Sequence, residues 1–397
     1  MYYNSFKELQ LSALGFGTMR LPLVPGGSGR DIDEAKLQEM VAYAIGHGVN
    51  YFDTAAPYHE GVSEIAVGKA LSAYPRDSFY LATKYPGHQI SDSYDPEATF
   101  NEQLKKCGVD YFDFYLMHNV NENSVKTYLD PKWGIHDYFK AQKEQGRIRH
   151  LGFSSHGDVP CMEEFLKVYG DIVEFCQIQL NYLDWTLQDA KAKVEFLNSR
   201  SIPVWVMESV RGGKLAHFDE KTEAGLKAIN PDKSIASWGF RWLQGIEGVT
   251  MILSGMSTLE QMEDNVATFE SPNPLNEAET AEVFKIADAL KSSVPCTGCR
   301  YCCDGCPMEL NIPRIISLYN EFKVSPSINI SMRQEAMGEA GMPSRCIGCG
   351  QCAAICPQKI NVPELMVTMD AALKTIPSWA EICRQREAAA KALREAK

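Results

Sequence analysis

Short apolar runs rich in β-branched and aromatic residues alternate with amphipathic stretches from Ala13 to Ala267. This alternation predicts a parallel sheet whose strands are joined by helices. The eight predicted strands are Ala13–Met19, Asn50–Ala55, Phe79–Lys84, Phe112–His118, Ile148–Ser154, Phe175–Gln179, Pro203–Glu208 and Thr250–Ser254.

The stretches between the strands repeat apolar residues at three- and four-residue intervals, which predicts helices. Eight strand-helix units favour a closed (β/α)8 TIM barrel of the α/β class over a doubly wound sheet. The first strand carries only Gly15-Phe16-Gly17 and lacks the G-x-G-x-x-G typical of an open dinucleotide-binding sheet. The predicted helices are Asp33–His47, Pro96–Cys107, Tyr138–Gln145, Ala190–Arg200 and Ser234–Leu243.

The pattern changes after the eighth strand. Ser271-Pro272-Asn273-Pro274 interrupts regular structure before a predicted helix, Glu277–Leu290. We therefore expect a barrel over residues 1–270, a linker and helix over 271–295, a small, mainly α, ferredoxin-like domain over 296–377 and a C-terminal helix over 378–397.

Charge and hydropathy exclude several classes of function. The formal net charge of −12 argues against nucleic-acid binding, because phosphate recognition requires a basic face. No uncharged apolar run is long enough to span a bilayer, and residues 1–10 do not resemble a secretory signal. We expect a cytoplasmic protein without a membrane span.

The cysteines are concentrated near the C-terminus, where nine of the 13 lie between Cys296 and Cys356. In a cytoplasmic chain this density indicates metal binding rather than disulfides. The pattern C-x2-C-x2-C-x3-C-P occurs twice, as in bacterial ferredoxins, where the fourth cysteine of each copy ligates the other cluster. Two [4Fe-4S] clusters are therefore predicted, one held by Cys296, Cys299, Cys302 and Cys356 and the other by Cys346, Cys349, Cys352 and Cys306.

Zinc is the alternative metal for these cysteines. Zinc also binds C-x2-C pairs, but it needs four ligands in a tetrahedron and commonly takes two pairs separated by a longer spacer. Three thiols in C-x2-C-x2-C fit that arrangement poorly. Cys303 lies outside the repeated pattern and is interpreted as a packed thiol.

Four polar residues lie at or just after predicted strand ends, where the chemistry of a (β/α)8 barrel is located. They are Asp53, Tyr58, Lys84 and His118. Each alone has an ordinary explanation, such as a turn cap, a solvated lysine or a surface histidine. Together, a carboxylate, a phenol, an ammonium and an imidazole on adjacent strand ends predict an active site.

These four residues, with the segments from Leu14 to Met19 and from Gln261 to Asn265, resemble the aldo-keto reductase superfamily over most of the first 270 residues. The resemblance implies that Asp53, Tyr58, Lys84 and His118 form a catalytic tetrad. Carbonyl reduction needs a proton donor, and a tyrosine with a pKa of about 10 donates reluctantly at neutral pH. We expect the Lys84 ammonium to lower the pKa of Tyr58, which acts as general acid, and as general base in reverse.

The same resemblance implies a nicotinamide nucleotide site. Ser-Ser stands where the family usually has Ser-Asn, and a methionine stands where an aromatic ring often stacks. A lysine and an arginine common in NADPH binders are replaced by Gly255 and Gln261, so NADPH preference is not expected from the sequence. The candidate contacts are Gly17, Thr18, Ser154, Ser155, Gln177, Met207, Ser254, Gly255, Thr258, Gln261, Asp264 and Asn265.

The leading hypothesis is an NADH- or NADPH-dependent oxidoreductase that acts on a small carbonyl or alcohol. Its clusters would exchange electrons with ferredoxin or another redox protein. FMN is a further candidate, because nicotinamide transfers two electrons and a cubane ordinarily one, although no flavin motif is recognisable. Two alternatives remain: a tetrad-only reductase with structural or sensing clusters, and an electron-carrier subunit whose barrel is a docking scaffold.

Overall fold

The computed structural model describes residues 1–290, 294–296, 298–356 and 358–395. Contacts divide the chain into two compact units, Met1–Phe284 together with the residues from Arg386 onward, and Lys285–Gln385. None of the helices in the described ranges is long and apolar enough to cross a membrane.

The first unit is a closed barrel. The strands are β1 (Tyr3–Phe6), β2 (Leu9–Ser12), β3 (Leu14–Gly17), β4 (Tyr51–Asp53), β5 (Tyr80–Tyr85), β6 (Phe112–Val120), β7 (Ile148–Ser155), β8 (Cys176–Gln179), β9 (Val204–Met207) and β10 (Val249–Gly255). Within the described residues, eight parallel strands pair in the closed order β10-β3-β4-β5-β6-β7-β8-β9. The eight predicted strands are confirmed, and each end lies within two residues of its predicted position.

The strands are apolar because both of their faces are covered. In β6, for example, every residue is buried except His118, which is half-buried. A parallel sheet wrapped by helices excludes water from both sides, so its strands read as nearly continuous apolar runs. The polar residues that do occur near the strand ends are therefore the exceptions that define a site.

An N-terminal hairpin, β1 and β2, was not predicted. Its two four-residue strands pair antiparallel, and Lys7 lies in the turn with a φ of 53°. Phe6 packs edge-on against Trp205 at a ring-centroid distance of 5.0 Å and belongs to the barrel core. Strands this short show too few alternations to be recognised in sequence. The hairpin packs near the amino ends of the barrel strands and leaves their carboxyl ends clear.

Helices follow the strands and wrap the barrel, and further helices build the second unit. The α-helices are α1 (Glu34–Gly46), α2 (Ser63–Leu71), α3 (Pro96–Cys107), α4 (Val125–Leu129), α5 (Ile135–Glu144), α6 (Val159–Tyr169), α7 (Asp184–Leu187), α8 (Ala190–Ser199), α9 (Glu220–Ile229), α10 (Ile235–Gln244), α11 (Leu259–Thr268), α12 (Glu277–Leu290), α13 (Tyr301–Asp304), α14 (Ile312–Val324), α15 (Ile328–Ala336), α16 (Gln351–Ile355), α17 (Val362–Leu373) and α18 (Trp379–Glu395). Short 3-10 turns occupy Thr18–Arg20, Tyr58–Gly61, Arg76–Ser78, Pro131–Trp133, Arg211–Gly213, Gly338–Gly341 and Pro343–Arg345.

Helix α12 is tied to the barrel by a buried ion pair. Arg241 on α10 donates to both carboxylate oxygens of Glu279, at 2.8 and 2.7 Å. Both side chains are almost completely buried. A buried charge is tolerated only when it is paired and hydrogen-bonded, and the two-pronged geometry satisfies both groups.

The second unit repeats its local structure as its sequence repeats. Gly298 and Gly348 both have a φ of 70°, which L side chains adopt only with strain. Helices α14 and α17 both begin after an asparagine and carry proline in the first turn. Their apolar faces share a core that includes Ile312, Ile315, Val362, Met366 and Met369.

Candidate functional site

A buried ion pair lies at the centre of the candidate active site. The Lys84 ammonium on β5 donates to Asp53 Oδ1, at the end of β4, at 2.5 Å. It also donates to the carbonyl oxygen of Thr54 at 2.7 Å. Both charged side chains are almost fully buried. Burial disfavours the ammonium, but Asp53 and Tyr58 outweigh this effect and raise the pKa of Lys84.

Tyr58 and His118 stand beside this pair. The Lys84 Nζ atom lies 5.1 Å from the centroid of the Tyr58 ring. The Tyr58 and His118 rings meet edge to face, with centroids 6.0 Å apart. The structure therefore brings together all four residues of the predicted tetrad.

The pKa of Tyr58 differs from the sequence-based expectation. Burial raises the pKa of Tyr58. The Lys84 ammonium lowers this pKa in part, and the nearby Asp53 carboxylate opposes the effect of Lys84. The net pKa of Tyr58 is therefore raised. The lysine acts in the expected direction, but desolvation of the phenolate is the larger effect. Tyr58 is thus held as a neutral phenol, the form that donates a proton.

His118 has a histidine neighbour that sequence reasoning missed. The rings of His88 and His118 are 4.3 Å apart. Burial lowers the pKa of His118 well below its usual value, and the neighbouring His88 ring and the Lys84 ammonium lower it further. A neutral imidazole donates one hydrogen bond without adding a charge. The only signal for His88 in the sequence was its position in the loop after Lys84.

A buried polar network supports the strand that carries Lys84. Glu64 on α2 accepts hydrogen bonds from Thr83 Oγ1 and Gln103 Nε2, both at 2.7 Å. Gln103 also donates to the carbonyl oxygen of Lys84 at 2.9 Å and accepts from Tyr115 at 2.5 Å. Sequence patterns gave no indication of this network, because its members come from four separate elements.

The predicted nicotinamide contacts cluster on β7, β8 and β9. The buried side-chain oxygen of Gln177 has no hydrogen-bond partner among the described residues. Ser154 Oγ accepts from the Asn119 N–H at 2.8 Å. Ser155 Oγ donates to the Val120 carbonyl at 2.9 Å, so its hydroxyl is engaged by the backbone. Met207 ends β9 and is partly exposed.

The predicted nucleotide contacts on β3, β10 and α11 form a second group with local hydrogen bonds. Thr258 caps α11 by accepting from the Gln261 N–H at 3.3 Å. Asn265 donates to Ser254 Oγ at 3.0 Å, and Asp264 accepts from the Ser234 hydroxyl at 2.6 Å. Further contacts in this group are Gly17, paired with Gly255 across β3 and β10, and Thr18, which donates to the Asp53 carbonyl at 2.9 Å.

The repeated cysteines of the second unit line two cavities. One is lined by Cys306, Cys346, Cys349 and Cys352. The other is lined by Cys296, Cys299, Cys302 and Cys356. Among the described residues, no three His, Cys, Asp or Glu side chains converge closely enough to hold a single metal ion. Each cavity combines three cysteines of one repeat with the fourth cysteine of the other.

Two known protein families match this chain, one over the barrel and one over the cysteine-rich region. The profile of the Aldo/keto reductase family matches residues 13–288, and that of the 4Fe-4S dicluster domain matches residues 295–360. The NADH-specific methylglyoxal reductase of Escherichia coli K12 is 25% identical over 325 residues, which cover 72% of this chain and 97% of the relative.

Solved structures agree with the barrel. An aldo-keto reductase of Bacillus halodurans in its holo form is 25% identical, with a TM-score of 0.57, over 72% of this chain and 95% of that one. An aldo-keto reductase of Klebsiella pneumoniae in complex with NADPH shares the fold at 20% identity, with a TM-score of 0.55, over 72% and 96% of the two chains.

The buried His88 predicts a measurable dependence of stability on pH. Burial and the Arg386 charge lower the pKa of His88 well below 6.5. As pH falls, His88 therefore binds a proton in the unfolded chain but not in the native protein, and the native protein is destabilised. This destabilisation is negligible at pH 8, and it lowers the free energy of unfolding by about 1 kcal/mol between pH 7 and pH 5.5. His88→Gln should remove it, so the variant should lose about 1 kcal/mol less than the parent over this range in urea unfolding. Equal losses in both proteins would contradict the assignment.

Proposed function

This chain belongs to the aldo-keto reductase family and carries a 4Fe-4S dicluster domain, and we propose that it is a nicotinamide-dependent oxidoreductase of small carbonyls or alcohols. The observation that carries the proposal is the buried Lys84–Asp53 pair beside Tyr58 and a neutral His118. A bound nicotinamide would supply or accept the hydride.

Within this proposal, Tyr58 is the general acid. Its phenol gives a proton to the carbonyl oxygen, while His118 donates a hydrogen bond that orients the same oxygen. The phenolate left behind is stabilised by the adjacent Lys84 ammonium, which Asp53 and the Thr54 carbonyl hold in place. In the alcohol-oxidising direction the same phenolate is the base.

Gln177, Ser154 and Met207 are proposed to hold the nicotinamide ring. The unpartnered buried oxygen of Gln177 fits the amide N–H of a carboxamide. Ser155 is assigned a structural role in this proposal, because its hydroxyl bonds the backbone. Gly255 and Gln261 replace cations that are common in NADPH binders, so the proposal includes NADH and NADPH alike as the nucleotide.

The eight repeated cysteines are proposed to hold two [4Fe-4S] clusters in the crossed sets predicted above. The donor chemistry fits, since four thiols line each cavity and the remaining lining includes apolar residues such as Ile312 and Val362. Bound clusters would supply one-electron transfer to or from a ferredoxin-type partner. FMN is not part of the proposal, because the sequence carries no recognisable flavin motif.

Replacing Tyr58 tests the proton-transfer role. Tyr58→Phe should lower kcat for carbonyl reduction by about 10²–10⁴-fold, the usual contribution of a positioned acid, while nucleotide binding stays unchanged. Tyr80→Phe, at the opposite end of the barrel on β5, is the matched control and should retain parental kcat. A Tyr58→Phe enzyme with parental kcat would refute the role of Tyr58.

Replacing single cysteines tests the crossed ligand sets. Cys306→Ala should remove one cluster, so that iron content falls from about eight to about four atoms per chain. The cluster lost should be the one that Cys306 shares with Cys346, Cys349 and Cys352. Because Cys346→Ala should remove the same cluster, the EPR signal of the remaining cluster should be the same in Cys306→Ala and Cys346→Ala. Cys303→Ala, outside both sets, should keep all the iron. Different remaining centres in Cys306→Ala and Cys346→Ala would show that the sets are not crossed.

An anaerobic titration of iron-replete protein tests the link between the nucleotide and the clusters. NADH and NADPH are added separately while nucleotide fluorescence and the broad cluster absorbance are followed. Bleaching on nucleotide addition is the expected result. Nucleotide binding without bleaching would favour structural or sensing clusters, and no binding of either nucleotide would refute the reductase assignment.

A further inference from the structure

The loop that carries Tyr58 has an unusual backbone conformation. His59 and Glu60, the two residues that follow Tyr58, have φ angles of 50° and 54°. Residues other than glycine adopt this left-handed region only at a cost in free energy. Two such residues in a row, directly beside the proposed general acid, must be held in place by contacts with the surrounding structure.

The ring of His59 makes two of these contacts. Its Nε2 atom accepts a hydrogen bond from the Leu21 N–H at 3.0 Å, and its Nδ1 atom lies 2.8 Å from the Gly29 carbonyl oxygen. Because Nε2 accepts, Nδ1 carries the ring proton and donates it to Gly29. His59 therefore ties the Tyr58 loop to the segment that follows β3.

The peptide group that joins Arg20 to Leu21 has a second partner. Its N–H donates to His59, and its carbonyl oxygen accepts from Ser257 Oγ at 2.8 Å. The Ser257 N–H in turn donates to Gln261 Oε1 at 2.8 Å. Hydrogen bonds that share a peptide group polarise and strengthen one another. One peptide group thus connects His59 with the turn before α11.

This chain of hydrogen bonds joins two parts of the candidate site. Gln261, at one end, is among the predicted nucleotide contacts. Gly17 and Thr18, which are also predicted contacts, lie just before the shared peptide group. At the other end, His59 directly follows Tyr58. The predicted nucleotide site and the proposed general acid are therefore connected through a single histidine ring.

We propose that His59 is a positioning residue that couples nucleotide binding to the placement of Tyr58. This inference rests on the proposed nicotinamide-dependent function and adds how its site is assembled. When residues 17–21 and Gln261 are ordered against a nucleotide, the Leu21 N–H is fixed in place. The His59 ring then fixes the backbone from which the Tyr58 phenol projects. A displacement of about 1 Å in a catalytic group can lower the rate by about 10²-fold.

His59→Gly tests the role of the ring, because glycine adopts a φ of 50° without strain. The variant should lower kcat for the reduction of 4-nitrobenzaldehyde, with NADH or NADPH, by about 10–100-fold. Glu60→Gly is the matched control, since Glu60 has a similar φ and an exposed side chain. It should retain the parental kcat. Parental kcat in His59→Gly would overturn the proposal.

Hydrogen exchange measured by mass spectrometry tests the coupling without turnover on the full-length, iron-replete protein. Exchange is compared with and without saturating NADH or NADPH in two segments, residues 17–24 and 58–64. The nucleotide should slow exchange in both segments of the parent and of Glu60→Gly. In His59→Gly the slowing should persist in segment 17–24 and be lost in segment 58–64. The parent alone already tests whether nucleotide binding reaches the Tyr58 loop.

Nucleotide fluorescence, followed in the same samples, separates this inference from the proposed activity. If a nucleotide binds but exchange in segment 58–64 of the parent is unchanged, the coupling is overturned while the oxidoreductase proposal stands. Equal slowing of this segment in the parent and in His59→Gly has the same meaning. If neither nucleotide binds, both proposals are overturned. If the aldehyde is not reduced, the exchange measurement alone decides.

Discussion

The buried pair of Lys84 and Asp53 is the constraint on which the candidate site depends. Two charges inside a barrel are tolerated only if they meet each other and find further hydrogen bonds. Adjacent parallel strands bring them within 2.5 Å, and the Thr54 carbonyl completes the shell of the ammonium. The Glu64–Gln103 network fixes the backbone of Lys84 from the outer side. Tyr58 then stands beside a cation that cannot move away.

Burial acts on the two proton-handling groups in a complementary way. It keeps Tyr58 protonated and His118 neutral, because each charged form would lose its hydration. The resting site thus holds one acid and one neutral hydrogen-bond donor. The Lys84 ammonium lowers the pKa of both groups, so it opposes the effect of burial at Tyr58 and adds to the effect of burial at His118.

The second unit is built from two halves with similar sequences, whereas the first unit is a single closed barrel. Each half begins with a cysteine loop that contains a glycine of positive φ and continues into a proline-initiated helix. The fourth cysteine of each half reaches the cavity of the other half. Neither cavity is complete without both halves, so the core of Ile312, Ile315, Val362 and Met366 supports both cavities at once.

The sequence by itself determined the barrel, the place of the four tetrad residues and the grouping of the cysteines. These features are local, since strand periodicity, strand ends and cysteine spacing are read within a few residues. It did not reveal the N-terminal hairpin, because two four-residue strands carry too short a pattern. It also missed His88, which packs against His118 from the loop after Lys84, and the Glu64–Gln103 network, whose members come from separate elements. The raised pKa of Tyr58 was likewise decided by tertiary structure, because desolvation depends on everything that surrounds a group and not on its neighbours in sequence.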